Sequence, residues 1–157
     1  MNWLNHFLVS FILVYTFFYS RVSVFVIILF CVLFGVFLDL DFITRRFLLN
    51  SRGRDLRTFL QEPIGLFFVA LPLAGLLSLI NGTYFLLTLL PYATHIFLDY
   101  LTIHNVFPLS PFSKRKMRVG FIKPVNLFSF REIANFRELN ENYVSVICFV
   151  ILLVLVY

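Results

Sequence analysis

The sequence is short of charge. Only 13% of its 157 residues are Asp, Glu, Lys or Arg, where a soluble domain carries about a quarter. So little polar surface cannot cover a water-exposed globule, and lipid must solvate much of the exterior. Cysteine is scarce as well. Cys31 and Cys148 are the only two, and each lies inside an apolar run, which excludes a disulfide framework and leaves them as small core or lipid-facing residues. The first apolar run has neither a basic leader nor an A-x-A cleavage site, so it is expected to be a retained helix. There is no internal repeat, and no low-complexity tract beyond the apolar runs.

Apolar sequence fills the space instead. Hydrophobic residues make up 61% of the chain, 22 of the residues are Phe, and the mean hydropathy is +0.93. Five apolar runs stand out, at about 3–19, 22–38, 64–80, 83–101 and 144–157. A helix as long as the second run extends about 26 Å, close to the thickness of bilayer hydrocarbon. The fifth run is shorter. The amphipathic stretch 130–143 before it can extend it, with Ser129 and Glu132 spaced as a capping box. The expected fold is all-α, a polytopic transmembrane bundle of about five helices forming one membrane domain over 1–157. Pro72, Gly75 and Pro91 interrupt the third and fourth runs, where bends are expected.

Basic residues set the orientation. With five spans, the loops 44–63 and 102–143 fall on the side of the N-terminus, and of thirteen Lys and Arg only Arg21 lies opposite. The positive-inside pattern then places the N-terminus and both basic loops in the cytoplasm and the C-terminus outside, in a cell membrane. A net charge of +5 confined to such loops points to anionic membrane lipids as partners and away from nucleic acid. Oligomeric state is not encoded in any pattern here.

The same topology sends the ionisable residues to one face. His6 opens helix one on the inner side, Asp39 and Asp41 close helix two, Glu62 precedes helix three, and His95 and Asp99 sit in the last turns of helix four. Charges inside apolar helices cost at least about 2.5–3.5 kcal/mol at the bilayer centre, so they pair, coordinate, or line a wet cavity. His95 and Asp99, four apart, share a helix face. That spacing suits two ligands on one metal ion and equally a hydrogen-bonded pair at a helix end. Asp39 and Asp41 converge only if their helix ends there; otherwise they pair with Arg45 and Arg46. His6 reads either as a ligand or as an interfacial residue. Glu62, before Pro63, also suits the positive end of a helix.

These residues resemble a family. His95-Ile-Phe-Leu-Asp99-Tyr-Leu-Thr102, then Asn105-Val106, Leu109-Ser-Pro111-Phe112-Ser113 and Lys114-Arg115-Lys116, look like the signature of the YdjM-like membrane-bound metal-dependent hydrolases. His6 near Met1, and Gly35 followed by Asp39-Leu-Asp41, match weaker elements of the same pattern. The family is distantly similar to zinc-dependent phospholipase C and P1 nuclease. The resemblance implies a divalent metal, zinc foremost, held by His95, Asp99, Asp39 and His6. Asp41 or Glu62 would act as general base, and Arg45, Arg46, Lys114 and Arg115 would bind an anionic headgroup. The implied reaction is hydrolysis of a lipid or phosphoester at the cytoplasmic face. The family's two histidines between helices two and three are absent from the corresponding stretch 56–61, where Gln61 or Glu62 offers oxygen instead. The alternative is a non-catalytic membrane scaffold or partner-binding protein with a structural polar cluster. Transport ranks last, because the ionisable groups lie toward one end of the spans and not at mid-membrane.

Overall fold

The computed structural model describes residues 3–40, 59–102, 106, 108, 112, 117, 120–122 and 141–156, with residues 39, 40, 59, 141 and 156 described by their backbone alone. Asp41, Arg45, Arg46, Lys114 and Arg115 lie outside the described residues. Every element of length among them is helical; pairing of extended backbone is limited to the isolated bridges Thr102–Ile122 and Val106–Met117.

Helix α1 is Trp3–Phe18. Its buried residues include His6, Ser10, Val14 and Phe18, one every fourth position. This spacing gives a single inward stripe, polar at its start and apolar at its end. Helix α2, Val24–Cys31, continues without a break through a π-helical turn, Val32–Val36, into a 3₁₀ turn, Phe37–Leu40. A second composite run begins at the 3₁₀ turn Phe59–Gln61. It passes through α3, Pro63–Gly65, and a π turn, Leu66–Ala70, to α4, Leu71–Ser78. Proline forbids the ordinary ladder at Pro72, and the π turn ends just before it, with Leu71 N–H reaching back to the Leu66 carbonyl.

Asn81 turns the chain. Its side-chain oxygen accepts from Thr83 N–H at 3.0 Å and from the Thr83 hydroxyl at 2.8 Å. This starts α5, Thr83–Leu101, which runs straight through Pro91 as one helix. Helix α6 is Glu141–Val156. The five helical stretches fall on the five apolar runs of the sequence.

Contacts at the two ends show that the stretches alternate in direction. At one end His6 meets Asp99, Gly35 meets His95, and Glu62 meets Tyr100. The Ser145 hydroxyl donates to the Asn5 side-chain oxygen at this end, so α6 starts where α1 starts. At the other end Phe30 packs on Tyr84, and Val14, Phe18, Ile27, Phe30, Cys31 and Leu87 form an apolar core. A cavity of about 320 Å³ between Tyr15, Thr16, Tyr19 and Leu155 brings the last turns of α1 and α6 together there.

Beside this apolar core, polar and ionisable side chains are buried and large aromatic ones are exposed. Asn5, His6, Ser10, Glu62, Thr88, His95, Asp99 and Thr102 are buried, while Phe17, Phe25, Phe67, Phe68, Phe97 and Phe149 are exposed. Among the described residues no single helix is long and apolar enough to cross a membrane. Physically, π and 3₁₀ turns divide two of the runs, and α5 carries His95 and Asp99.

Candidate metal centre

The polar end of the α1 stripe supplies His6, and the last turns of α5 supply His95 and Asp99 from one helix face. All three are buried, at no more than 1% exposure. Nε2 of His6 lies 3.2 Å from Oδ1 of Asp99, and Nε2 of His95 lies 3.5 Å from Oδ2. The two imidazoles stack, ring centroids 4.0 Å apart and planes inclined by 23°.

The protonation of His95 can be read from its contacts. Nδ1 lies 2.8 Å from the Gly35 carbonyl oxygen. A carbonyl only accepts, so Nδ1 carries the proton. In the neutral ring Nε2 then presents a lone pair, and it faces a carboxylate oxygen. Two electron-rich groups at that separation attract only when a proton or a cation lies between them. Orientation of a ligating imidazole by a backbone carbonyl on its far nitrogen is how metal-bound histidines are held.

The donor set therefore fits a cation. His6, His95 and Asp99 each offer one ligand atom, and these atoms lie within 4.8 Å of one another. A tetrahedral zinc site with bonds of about 2.0–2.1 Å spaces its ligands roughly 3.3 Å apart. Each imidazole lies near that distance from a different oxygen of Asp99, and the three donors, which span up to 4.8 Å, would have to draw together around an ion. Two imidazole nitrogens and a carboxylate oxygen suit zinc, manganese or iron. These three are the donors found together among the described residues.

Two other sequence candidates lie at the same end of the bundle. Asp39 is on the 3₁₀ turn Phe37–Leu40, its side chain outside the described residues. Glu62 is buried at the start of α3 and accepts the Tyr100 hydroxyl at 2.8 Å on Oε2. Gln61 donates from Nε2 to the Leu38 carbonyl at 3.0 Å, and the Tyr92 hydroxyl donates to the Leu60 carbonyl at 2.5 Å. Gln61 and Glu62 thus belong to a second polar network, which ties the 3₁₀ turn before α3 to α5 and to the end of the 24–40 run.

Two participants escape sequence reading. The Gly35 carbonyl is a backbone group, and no residue type announces it. Tyr100 left a faint signal, a hydroxyl beside Asp99 in an apolar helix. Ser10, one turn beyond His6, is buried against Gly35, and its Oγ has no hydrogen-bond partner among the described residues.

A family model described as YdjM inner membrane protein matches residues 1–157. No curated protein and no solved structure matches the chain.

Proposed function

The chain belongs to the YdjM inner membrane protein family, and on that premise we propose that it is a membrane-embedded metal-dependent hydrolase acting on a lipid or phosphoester at the cytoplasmic face. The observation that carries the proposal is the meeting of His6, His95 and Asp99 from two helices, with His95 already oriented by Gly35.

The membrane setting is supported by the exposed phenylalanines and the buried ionisable groups, which suit a lipid solvent. Alternating helix directions and a parallel α1 and α6 fit five crossings with the N-terminus inside and the C-terminus outside. All but one of the basic residues then lie on the inner side.

His6, His95 and Asp99 would hold a divalent cation, zinc being the best match to the donors, with Asp39 the further candidate ligand. A bound cation would lower the pKa of water and polarise the scissile group. The protein's own groups do the rest. Gly35 holds His95 in the tautomer that turns the Nε2 lone pair toward Asp99. Asp99 spans both imidazoles. The Asp41 carboxylate is the candidate for taking a proton from the attacking water; Glu62, the other acid the sequence offers, is held by the Tyr100 hydroxyl in the second polar network. Arg45, Arg46, Lys114 and Arg115 would hold an anionic headgroup.

One observation favours a second reading, a non-catalytic membrane component clasped by polar groups. Gln61 stands where the family has a histidine, and it ties the Leu38 backbone. The deciding experiment is metal analysis of the wild-type protein purified in mild detergent, beside His95→Ala/Asp99→Ala. It is paired with a screen of lipid and phosphoester substrates under added zinc. One bound ion in the wild type, none in the variant, and zinc-dependent turnover are expected. Wild type that neither carries nor takes up metal would sink the hydrolase.

A further inference from the structure

The chain that leaves α5 returns to it. Phe121 and Ile122 donate backbone N–H groups to the Leu101 carbonyl at 2.9 and 3.0 Å. Val106 and Met117 exchange a pair of backbone hydrogen bonds, each 3.0 Å. Gly120 lies so close to the helix end that a Cβ there would come within 2.1 Å of the Thr102 carbonyl oxygen. Residues 120–122 are therefore fixed at the bundle end that carries His6, His95 and Asp99.

Three apolar side chains of this returning segment are exposed. Phe112 is 80% exposed, Phe121 62% and Met117 45%. The sequence interleaves these residues with Lys114, Arg115, Lys116, Arg118 and Lys123, and has no acidic residue from 106 to 123. Apolar residues alternating in sequence with cations of one sign match the boundary between acyl chains and anionic headgroups. A protein partner would demand complementary shape, whereas a lipid surface demands only this alternation and the right depth. The backbone bonds to Leu101 set the depth, two residues past Asp99.

We propose that Phe112, Met117 and Phe121 form a face that docks on the anionic headgroup layer beside the metal cluster, where a lipid headgroup would approach it. The proposal rests on the chain spanning the membrane and is independent of the metal.

The test uses tryptophan fluorescence. Trp3 is the single tryptophan, so Trp3→Phe gives a silent background. Phe121→Trp, Phe112→Trp and, on the exposed face of α5, Phe97→Trp are placed in it singly. Each protein is reconstituted in nanodiscs of brominated phosphatidylcholine with and without phosphatidylglycerol. Phe97→Trp should be quenched in both lipids. Phe121→Trp and Phe112→Trp should emit at shorter wavelength and be quenched at least twofold more with the anionic lipid. The gain should vanish when Lys114, Arg115 and Lys116 are changed to Gln. Water-like emission from both loop probes, with Phe97→Trp quenched, overturns the docking face and leaves it to a protein partner. Quenching that ignores lipid charge overturns the anionic selection. An unquenched Phe97→Trp overturns the spanning reading and the docking face together.

Discussion

The carbonyl oxygen of Gly35 accepts the Nδ1 proton of His95 at 2.8 Å, so the π turn that follows α2 decides which imidazole nitrogen faces Asp99. The controlling group is backbone and cannot itself be substituted. Its position can be changed through the space that glycine leaves.

Gly35→Ala should weaken metal binding with little loss of stability. A Cβ at 35 would meet Ser10 Oγ at 3.1 Å and Pro91 Cβ at 3.7 Å. The first contact is tight enough that Ser10 Oγ, or the turn itself, must give by a few tenths of an ångström. Alanine also gains about 0.5–1 kcal/mol of helix preference, which offsets the crowding. Disturbed support of a ligating histidine costs about tenfold in metal affinity. Zinc titration beside thermal unfolding in detergent checks both halves.

Metal removal should destabilise the wild type and leave His95→Ala unmoved. A cation that binds only the folded state stabilises it by about 2.7 kcal/mol at a hundred times its Kd. Dialysis against a chelator should lower Tm, and added zinc should restore it. Acidification should mimic the chelator, because protons and metal compete for the same imidazole lone pairs. Equal Tm with and without zinc would count against the site.

Tyr100→Phe should cost about 1–3 kcal/mol, since it strips a hydrogen bond from a buried carboxylate. Metal content should stay at the wild-type level, because Glu62 and Tyr100 lie outside the His6–His95–Asp99 group. Unfolding and metal analysis of one preparation separate the two networks. Loss of metal in this variant would join them.

Reporter fusions should place the termini on opposite faces. Alkaline phosphatase is expected to be active at the C-terminus and inactive at the N-terminus, and green fluorescent protein the reverse. Both reporters on one side would break the five-crossing arrangement proposed above.

Much of this architecture could be read from hydropathy. The apolar runs foretold the helical stretches, and α5 spans the same residues as the fourth run, 83–101. The pairing of His95 with Asp99 followed from their four-residue spacing. The residue pattern left His6 open between ligand and interfacial residue, and only the family resemblance counted it a ligand; its place beside Asp99 depends on how α1 packs against α5. The π turns were also hidden. Gly35 and Pro72 mark where a helix can deviate, but the direction of deviation is settled by neighbours far along the chain. Glu62 was visible as an acid before a proline. Its engagement with Tyr100 required the third dimension.

The two π turns have a consequence for helix phase. Each holds one residue more than an α-helical turn would need, and an added residue rotates everything after it by about 100°. Deleting one residue within Val32–Val36 would yield a more regular helix whose two halves no longer agree. The half with Ile27 and Phe30 could stay seated in the core, but the half with Leu38 would swing its carbonyl away from Gln61. Here the irregular segment keeps the two ends of one helix in register with different neighbours.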